Sequence, residues 1–406
     1  MGRAICIGAS HAGAQFTLSL RQSGWDGDII LFGEEPELPY HRPPLSKDFM
    51  SNARSFDDIL IRPAEVYKKA DIDMRLGSRV VNVSPQDKSI ELSNGETWQY
   101  DKLVMATGAR ARKLPLEGAD HKRVYYLRSK SDVDAIKSEI APDKSALIIG
   151  GGYIGLETAA SLHKQGVKVT VLEAMDRILQ RVTAPVMSNF YKRIHREEGI
   201  NIVESEVAVG IESDGKTLSV HTAKGHHFSA DFIIIGIGVL PNMELAADAG
   251  LCVGNGIEIN EFCQSSDPDI YAIGDVSWHH NSIYDTHLRL ESLPNATEQA
   301  KIAAAHICGK PKPYNSLPWF WSDQFDLKLQ IAGLFQGYDN IVLRGNPEAG
   351  RQFSAFYFKG DRFLAVDAVN DPKSFMFARM ALTKGHVLNR AVLADQGQDL
   401  KNSLPD

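Results

Sequence analysis

The feature that most restricts the fold of this chain is a pattern that occurs twice: a short apolar run, a glycine-rich loop and a helical segment. The first copy reads Arg-Ala-Ile-Cys-Ile-Gly-Ala-Ser-His-Ala-Gly over residues 3–13, and the second reads Ser-Ala-Leu-Ile-Ile-Gly-Gly-Gly-Tyr-Ile-Gly over residues 145–155. Another apolar run follows each copy. A strand–helix–strand repeat of this kind builds a parallel sheet with a right-handed crossover. The chain is therefore expected to contain two nucleotide-binding folds.

The rest of the chain fits an α/β protein with two Rossmann-like dinucleotide-binding domains and a smaller C-terminal α+β domain. Apolar runs bounded by glycine are typical of buried parallel strands, and alternating runs followed by a helical pattern predict antiparallel strands with a helix. We expect helices over about 13–23, 155–165 and 372–384, antiparallel strands over about 351–358 and 363–369, and a polar tail over 396–406. The predicted domains are 1–109 with 239–317, then 110–238, then 318–406.

The first loop, Gly8-x-Ser10-x-x-Gly13, approximates the Gly-x-Gly-x-x-Gly pattern of dinucleotide sites. Its glycines permit a tight turn and a close approach of the backbone to a pyrophosphate at a helix N-terminus. Ser10 replaces the middle glycine, so it adds bulk but also a hydroxyl that can donate a hydrogen bond. Glu34 lies about 20 residues on, where a carboxylate can bind ribose hydroxyls. The alternative is an ordinary strand–helix turn.

The second loop, Gly150-x-Gly152-x-x-Gly155, is intact, and Glu173 follows 18 residues after its last glycine. A carboxylate there accepts hydrogen bonds from the ribose diol and repels the additional phosphate of NADP. At 4 Å the interaction of two unit charges is ~1 kcal/mol in water and ~4 kcal/mol at an effective dielectric of about 20. NADH is therefore the expected donor. Arg177 could accept a phosphate, although a solvated loop arginine is the simpler interpretation.

Composition and charge narrow the class of protein. A net charge of −7 disfavours a nucleic-acid-binding protein, and no apolar run reaches the ~18 residues of a membrane span. The N-terminus lacks a secretory pattern, so we expect a cytoplasmic protein, as a monomer. No cysteine pair has Cys-x-x-Cys or zinc-ligand spacing, and we expect structural thiols and no metal site. We interpret His279 and His280 as loop histidines.

The order of the motifs resembles the oxygenase-coupled NADH:ferredoxin reductases, which share the glutathione-reductase-like fold of the FAD-dependent pyridine nucleotide-disulfide oxidoreductases. The resemblance covers nearly the whole chain. The strings that carry it are Pro43-Pro44-Leu45-Ser46-Lys47, Ala106-Thr107-Gly108, Tyr126-Leu127-Arg128, Gly150 to Glu157, Gly236-Ile237-Gly238 with Pro241-Asn242, Asp267-Pro268, Gly274-Asp275, Glu291-Ser292-Leu293-Pro294-Asn295-Ala296 and Pro318-Trp319-Phe320-Trp321-Ser322-Asp323.

The resemblance implies FAD at the first loop and NADH at the second, and it implies roles for individual positions. The FAD-contacting positions are Gly8, Ser10, Ala12, Gly13, Glu34, Arg42, Lys47, Val80, Ala106, Thr107, Gly108, Arg128, Gly274, Asp275 and Leu293. The positions for the nicotinamide nucleotide are Gly150, Gly152, Tyr153, Ile154, Gly155, Glu157, Glu173 and Gly238. Without the resemblance, Val80 and Leu293 would be interpreted as core residues.

Three of the side chains are candidates for catalysis: Lys47, Glu157 and Trp321. An ammonium group near the reactive edge of the flavin would stabilise the reduced, anionic flavin. The alternative interpretation of Lys47 is a surface lysine after a Pro-Pro turn. The resemblance places Glu157 in the nicotinamide pocket and Trp321 near the flavin edge.

The electron acceptor is expected to be another protein. Disulfide reductases of this architecture carry a Cys-x4-Cys pair after the first ribose acid, whereas residues 40–51 contain no cysteine. The resemblance points to a [2Fe-2S] ferredoxin that feeds a haem-thiolate (cytochrome P-450 type) or a Rieske oxygenase. The alternatives are an NADH oxidase, a rubredoxin reductase, or a flavin-based redox sensor of the apoptosis-inducing-factor type. Because ferredoxins of this kind are acidic, we expect local cations to dock them, with Arg289, Lys301 and Lys328 as candidates.

Overall fold

The computed structural model describes residues 2–405. The α helices are α1 (His11–Ser23), α2 (Ala64–Lys69), α3 (Lys130–Lys137), α4 (Tyr153–His163), α5 (Pro185–Glu197), α6 (Glu244–Asp248), α7 (Leu293–Ile307), α8 (Pro372–Lys384) and α9 (Arg390–Ala394). No helix within residues 2–405 has both the length and the apolar character needed to cross a membrane.

The strands follow in chain order. They are β1 (Arg3–Ile7), β2 (Asp28–Phe32), β3 (Asp73–Arg75), β4 (Val80–Ser84), β5 (Ser89–Leu92), β6 (Thr97–Gln99), β7 (Lys102–Met105), β8 (Ala109–Ala111), β9 (Val124–Tyr126), β10 (Ser145–Ile149), β11 (Lys168–Leu172), β12 (Asn201–Val203) and β13 (Ala208–Ser213). The remainder are β14 (Leu218–Thr222), β15 (His227–Ala230), β16 (Phe232–Ile235), β17 (Val239–Pro241), β18 (Ile257–Ile259), β19 (Ile270–Ala272), β20 (Ser277–Asn281), β21 (Thr286–Leu288), β22 (Trp319–Gln324), β23 (Leu327–Gly333), β24 (Asn340–Gly345), β25 (Phe353–Lys359) and β26 (Arg362–Val369).

The chain divides into two compact units. Unit 1 comprises Met1–His41, Phe56–Arg110 and Leu240–Pro318, and unit 2 comprises Arg42–Ser55, Ala111–Val239 and Trp319–Asp406. The predicted second and third domains thus lie within one unit, together with the short segment Arg42–Ser55. The assignment of three domains stays a prediction.

Unit 1 is built on a parallel sheet with the strand order β19-β7-β1-β2-β3. The continuous apolar runs of β1 and β7 are buried, as expected for strands that are covered on both faces. Helices α1 and α7 pack against each other. Gly24 ends α1 at φ 105°, and its amide donates to the carbonyls of Leu20 and Arg21. The core of this unit places the carboxyl ends of β1 and β7 beside the first glycine loop.

Unit 2 contains a second parallel sheet, β12-β11-β10-β16-β9, and an antiparallel sheet, β22-β23-β26-β25-β24, on which α8 packs. Asp371 caps α8 by accepting from the amide of Ser374, and Gly385 ends this helix at φ 66°. The predicted α/β fold with parallel sheets and a C-terminal α+β part is confirmed by this architecture, and the helix expected over 372–384 has those bounds.

Several local expectations were wrong. Helices α1 and α4 begin at His11 and Tyr153, two residues before the expected starts, because the last glycine of each loop already lies in the first turn. His279 and His280 lie on β20, and His279 is 2% exposed. Residues 396–405 do not form a plain polar tail, since Leu400 and Ser403 are buried in a 3-10 turn, and the last residue of the expected tail lies outside the described residues.

The guanidinium group of Arg344 anchors the backbone of residues 395–398 by hydrogen bonds. It donates to the carbonyl of Asp395 at 2.6 Å and to that of Gln398 at 2.9 Å. Backbone carbonyls carry no signal in a sequence pattern, so a long-range bond from a side chain to them could not be foreseen.

Candidate functional site

The first glycine loop connects β1 to α1 in unit 1. An ideal Cβ on Gly8 would lie 2.1 Å from the carbonyl oxygen of Ala106, and one on Gly13 would lie 1.9 Å from that of Gly8. Both positions therefore require glycine for backbone packing. Ser10 is the N-cap of α1 in an extended conformation, and its side chain makes no capping bond. The first-turn amides of a helix lack acceptors within the helix, so the loop fits the pyrophosphate of a dinucleotide.

Further residues that were predicted to contact FAD lie at the ends of strands and helices in unit 1. Thr107 Oγ1 donates to the carbonyl of Asn242 at 2.7 Å, and Asn242 Nδ2 donates back to the carbonyl of Thr107 at 2.9 Å. Gly108 adopts φ 65° and Gly274 adopts φ 77°, so both use a conformation that favours glycine. Asp275 follows directly, in a short 3-10 turn after β19.

Glu34, the expected ribose acid, lies two residues after the end of β2 at Phe32, and it is exposed. Its Oε1 lies 3.3 Å from Nη1 of Arg79, a pairing that the sequence reasoning missed. No pattern in the sequence identified Arg79, because an exposed arginine ahead of a short strand is common.

Three other residues that were predicted to contact FAD lie elsewhere in unit 1. Val80 is the first residue of β4 and is 6% exposed, and Leu293 is half-buried at the first position of α7. Ala12 is buried on α1.

The second glycine loop, between β10 and α4 in unit 2, has the same construction. A Cβ on Gly150 would lie 2.4 Å from the carbonyl oxygen of Gly236, and one on Gly155 would lie 2.2 Å from that of Gly150. A Cβ on Gly152, by contrast, would meet no atom of residues 2–405 within 4 Å other than its chain neighbours. The open space at Gly152 therefore fits a ligand, whereas the outer two glycines are required by close backbone packing.

The acidic residue of the second site is held in place by the backbone. Glu173 accepts from the amide of Gly151 at 2.8 Å and from the amide of Met175 at 2.8 Å. Arg177 is committed within the protein, because its guanidinium donates to the carbonyls of Gln180 and Thr183 and to Ser188 Oγ. Of these two side chains, the carboxylate of Glu173 is therefore the one that is available to bind a ribose.

The remaining residues predicted for this site line the start of α4 and the end of β16. Ile154 is 45% exposed, and Gly238 is exposed at φ 103°. The ring of Tyr153 lies 5.1 Å from that of Phe320, and its hydroxyl is buried with no hydrogen-bond partner in the described chain. Burial raises the pKa of Tyr153 well above its usual value, so this phenol stays protonated.

Lys47 and Glu157, two of the predicted catalytic residues, form a buried ion pair in unit 2. Lys47 Nζ lies 2.5 Å from Glu157 Oε2, and the side chains are 17% and 5% exposed. The 3-10 turn Pro43–Ser46 packs against α4 and presents the lysine to the carboxylate. Two charges shielded from water in this way need further hydrogen bonds to offset their desolvation.

Two serines supply those bonds, and sequence reasoning assigned neither of them. Ser46 Oγ donates to Glu157 Oε2 at 2.6 Å, and Ser322 Oγ donates to Glu157 Oε1 at 2.7 Å. Both lie within strings that carried the resemblance, so their position was visible but their role was not. Asp323 is adjacent, and burial raises the pKa of its carboxyl, an effect that Lys47 opposes.

Three further predicted residues lie in unit 2. Arg42 Nη1 donates to the carbonyl of Arg128 at 2.7 Å. Arg128 in turn precedes the capping box of α3, where its amide donates to Asp132 Oδ2 at 3.0 Å. The ring of Trp321 lies 5.7 Å from that of Trp319 on β22.

The three predicted docking cations differ in exposure. Arg289 is not a free surface cation. Its side chain is 10% exposed, pairs with Glu291 at 2.6 Å and donates to the carbonyl of Asp275 at 3.2 Å. Lys301 on α7 and Lys328 on β23 are exposed. No group of three His, Cys, Asp or Glu side chains within residues 2–405 could hold a metal ion.

Comparisons with known proteins agree with these sites. Residues 2–300 match the model of the pyridine nucleotide-disulphide oxidoreductase family, and residues 319–404 match the reductase C-terminal family. Putidaredoxin reductase of Pseudomonas putida is 41% identical over 98% of this chain and 95% of its own length. Rhodocoxin reductase of Rhodococcus erythropolis is 40% identical over 98% and 93%.

Solved structures agree as well. Putidaredoxin reductase in its covalent complex with putidaredoxin superimposes with a TM-score of 0.96 at 40% identity, over 99% of this chain and 97% of that one. A ferredoxin reductase from Rhodopseudomonas palustris superimposes with a TM-score of 0.96 at 35% identity over the full length of both. The expected resemblance is thereby confirmed, and the chain belongs to the pyridine nucleotide-disulphide oxidoreductase family, within which it is similar to ferredoxin reductases of oxygenase systems.

Proposed function

We propose that the protein is an FAD-dependent NADH:ferredoxin reductase that supplies electrons singly to a [2Fe-2S] ferredoxin of an oxygenase system. The buried Lys47–Glu157 pair, held by two serines next to an intact dinucleotide loop, is the observation that carries the proposal. FAD supplies the conversion from two-electron to one-electron chemistry when it is bound. The loop around Gly8 fits FAD, and the loop around Gly152 fits NADH.

The charges of the pair suit a hydride transfer from NADH. Transfer of a hydride leaves positive charge on the nicotinamide ring and places negative charge on the acceptor. The carboxylate of Glu157 offers negative charge to the first, and the ammonium group of Lys47 offers positive charge to the second. Because hydrogen bonds already orient both groups, little reorganisation is needed when the charge moves.

The donor preference rests on Glu173. Its carboxylate is fixed by two backbone amides, and Arg177, four residues along the chain, donates to a carbonyl and a serine within the protein. We therefore propose NADH in preference to NADPH.

A ferredoxin is the favoured acceptor. A putidaredoxin reductase and a relative named as a ferredoxin reductase subunit match 98% of the chain at 41% and 40% identity, whereas a rubredoxin-NAD(+) reductase of Pseudomonas putida matches 91% at 35%. Docking through Lys301 and Lys328, a monomeric state and a cytoplasmic location belong to the same proposal.

The experiment is anaerobic reduction of the FAD-loaded protein, with NADH and with NADPH in separate runs, followed by mixing with oxidised [2Fe-2S] ferredoxin or with rubredoxin. We expect NADH to bleach the flavin absorbance far faster than NADPH does, and the ferredoxin to be reduced next. Bleaching without reduction of any ferredoxin, with rapid peroxide formation in air, would instead indicate an oxidase. Preferred reduction of rubredoxin would indicate a rubredoxin reductase.

A further inference from the structure

A row of buried polar side chains in unit 2 ends on the carboxylate of Glu157. It begins at His195 on α5 and continues through Gln324 and Ser322 on β22. His195 Nε2 lies 2.8 Å from Gln324 Oε1, Gln324 Nε2 lies 3.1 Å from Ser322 Oγ, and Ser322 Oγ lies 2.7 Å from Glu157 Oε1. The three residues ahead of the glutamate are at most 1% exposed. We refer to His195, Gln324 and Ser322 as the buried row.

The chemistry of the groups sets the direction of every bond in the buried row. An ionised carboxylate only accepts, so the Ser322 hydroxyl donates to Glu157. That hydroxyl then accepts from the amide nitrogen of Gln324, which leaves the amide oxygen to accept from Nε2–H of His195. Each member donates toward the carboxylate, so the bonds polarise one another.

His195 is suited to the outer end of the buried row. Burial lowers its pKa to about 4, so the ring is neutral at physiological pH. Its other nitrogen, Nδ1, is buried and has no hydrogen-bond partner within residues 2–405, and the ring packs edge-on to Phe325 at 5.1 Å. The bond to Gln324 is therefore the polar contact that selects the Nε2–H tautomer. Since an amide does not readily pass on a proton, the row orients Glu157 and does not conduct protons to it.

We infer that His195 and Gln324 are positioning residues for the reaction with NADH, acting through Ser322 to keep the carboxylate of Glu157 directed at Lys47. This inference rests on the proposed function. Within residues 2–405 neither outer residue makes a hydrogen bond to the ion pair, and nothing in the loop motifs points to them.

The test uses the FAD-loaded protein and the rate of flavin bleaching by NADH, measured against NADH concentration. We expect Ser322→Ala to lower the limiting rate about tenfold, the effect of one hydrogen bond to a charged group, and Gln324→Leu and His195→Phe to lower it by about three- to tenfold. The NADH concentration at half-maximal rate should stay within about twofold of wild type, because the glycine loop is untouched. Ser322→Thr, which restores the hydroxyl, should recover most of the rate.

Rescue by Ser322→Thr, with the half-saturating NADH concentration unchanged, separates positioning from a purely structural effect.

Thr158→Val is the matched control. Thr158 is buried on the same helix as Glu157, but its hydroxyl donates to the carbonyl of Ile154 and not to the ion pair. Unchanged limiting rates in folded Ser322→Ala and His195→Phe would overturn the inference, and so would an equal loss in Thr158→Val. Should Gln324→Leu fail to fold, the other two variants decide. If NADH does not bleach the wild-type flavin, the proposed function itself fails.

Discussion

Burial governs the ionisation of single residues in unit 2. Asp367 is 1% exposed on β26 and accepts from Thr183 Oγ1 at 2.5 Å and from the hydroxyl of Tyr357 at 2.6 Å. Desolvation raises the pKa of Asp367 to about 6, and the two hydrogen bonds oppose that rise without cancelling it. In the unfolded chain an aspartate titrates near pH ~4, so the unfolded state loses its proton first as the pH rises. Stability from this group is present at low pH and is lost between about pH 4 and 6.

We therefore predict that Asp367→Asn stabilises the protein above pH 6. The asparagine oxygen still accepts a hydrogen bond but carries no charge, so the free energy of unfolding should rise by about 1–3 kcal/mol at pH 8 and show little gain at pH 4.5. The measurement is the thermal midpoint of the FAD-loaded protein at both pH values, with the exposed Asp248→Asn as the control. An equal shift at both pH values would contradict this explanation.

A second prediction at this scale concerns the choice of nucleotide. Glu173→Gln removes the charge that repels the NADP phosphate and retains an acceptor for one of the two backbone amides that bind Glu173. The ratio of kcat/KM for NADPH to that for NADH should rise about fivefold or more. Arg177→Gln should leave this ratio unchanged and lower the stability, because the arginine binds carbonyls inside the protein. A changed ratio in Arg177→Gln would show that the arginine does meet the nucleotide.

At the level of elements, different glycines of the second loop serve backbone packing and nucleotide binding. Gly155→Ala would place a methyl group 2.2 Å from the carbonyl oxygen of Gly150, whereas the methyl group of Gly152→Ala meets no protein atom within 4 Å. Gly152 adopts φ −81°, which alanine also adopts without strain.

We predict opposite phenotypes for these two substitutions. Gly152→Ala should raise KM for NADH about tenfold by crowding the pyrophosphate, with a thermal midpoint within about 2 °C of wild type. Gly155→Ala should lower the midpoint by several degrees because the loop must move away from the helix. Steady-state kinetics and thermal unfolding of the same preparations test both outcomes. A normal KM in Gly152→Ala would show that the dinucleotide lies elsewhere.

The segment Arg42–Ser55 is the element that only the folded chain explains. Local sequence shows two prolines ahead of a lysine, a pattern typical of a turn. Its packing on α4 creates the Lys47–Glu157 pair across 110 positions in the chain. The antiparallel strand β22 contributes Ser322 to the same carboxylate. Thus three elements far apart in the chain complete one charged cluster.

At the scale of the whole molecule, the net charge of −7 opposes association with an acidic partner. Any docking must then depend on local cations, and Lys301 and Lys328 are exposed whereas Arg289 is committed to internal bonds.

We predict that Lys301→Gln and Lys328→Gln slow the reduction of a [2Fe-2S] ferredoxin about two- to tenfold at low ionic strength, and less in high salt. Bleaching of the flavin by NADH should not change. Lys216→Gln, on an exposed turn between β13 and β14, is the matched control. An equal loss in flavin reduction and in ferredoxin reduction, or no loss in either, would contradict the docking proposal.

Features that depend on local spacing were predictable from the amino-acid sequence alone. The two glycine loops and the apolar runs predicted the parallel sheets and the α/β class, because period and glycine placement follow directly from backbone geometry. Four features depend instead on tertiary packing: the partners of Glu157, the internal bonds of Arg289, the hydrogen bonds from Arg344 to the C-terminal stretch and the direction of the buried row. Those features arise where distant segments pack together, and side-chain hydrogen bonds between distant segments leave no periodic signal in the chain.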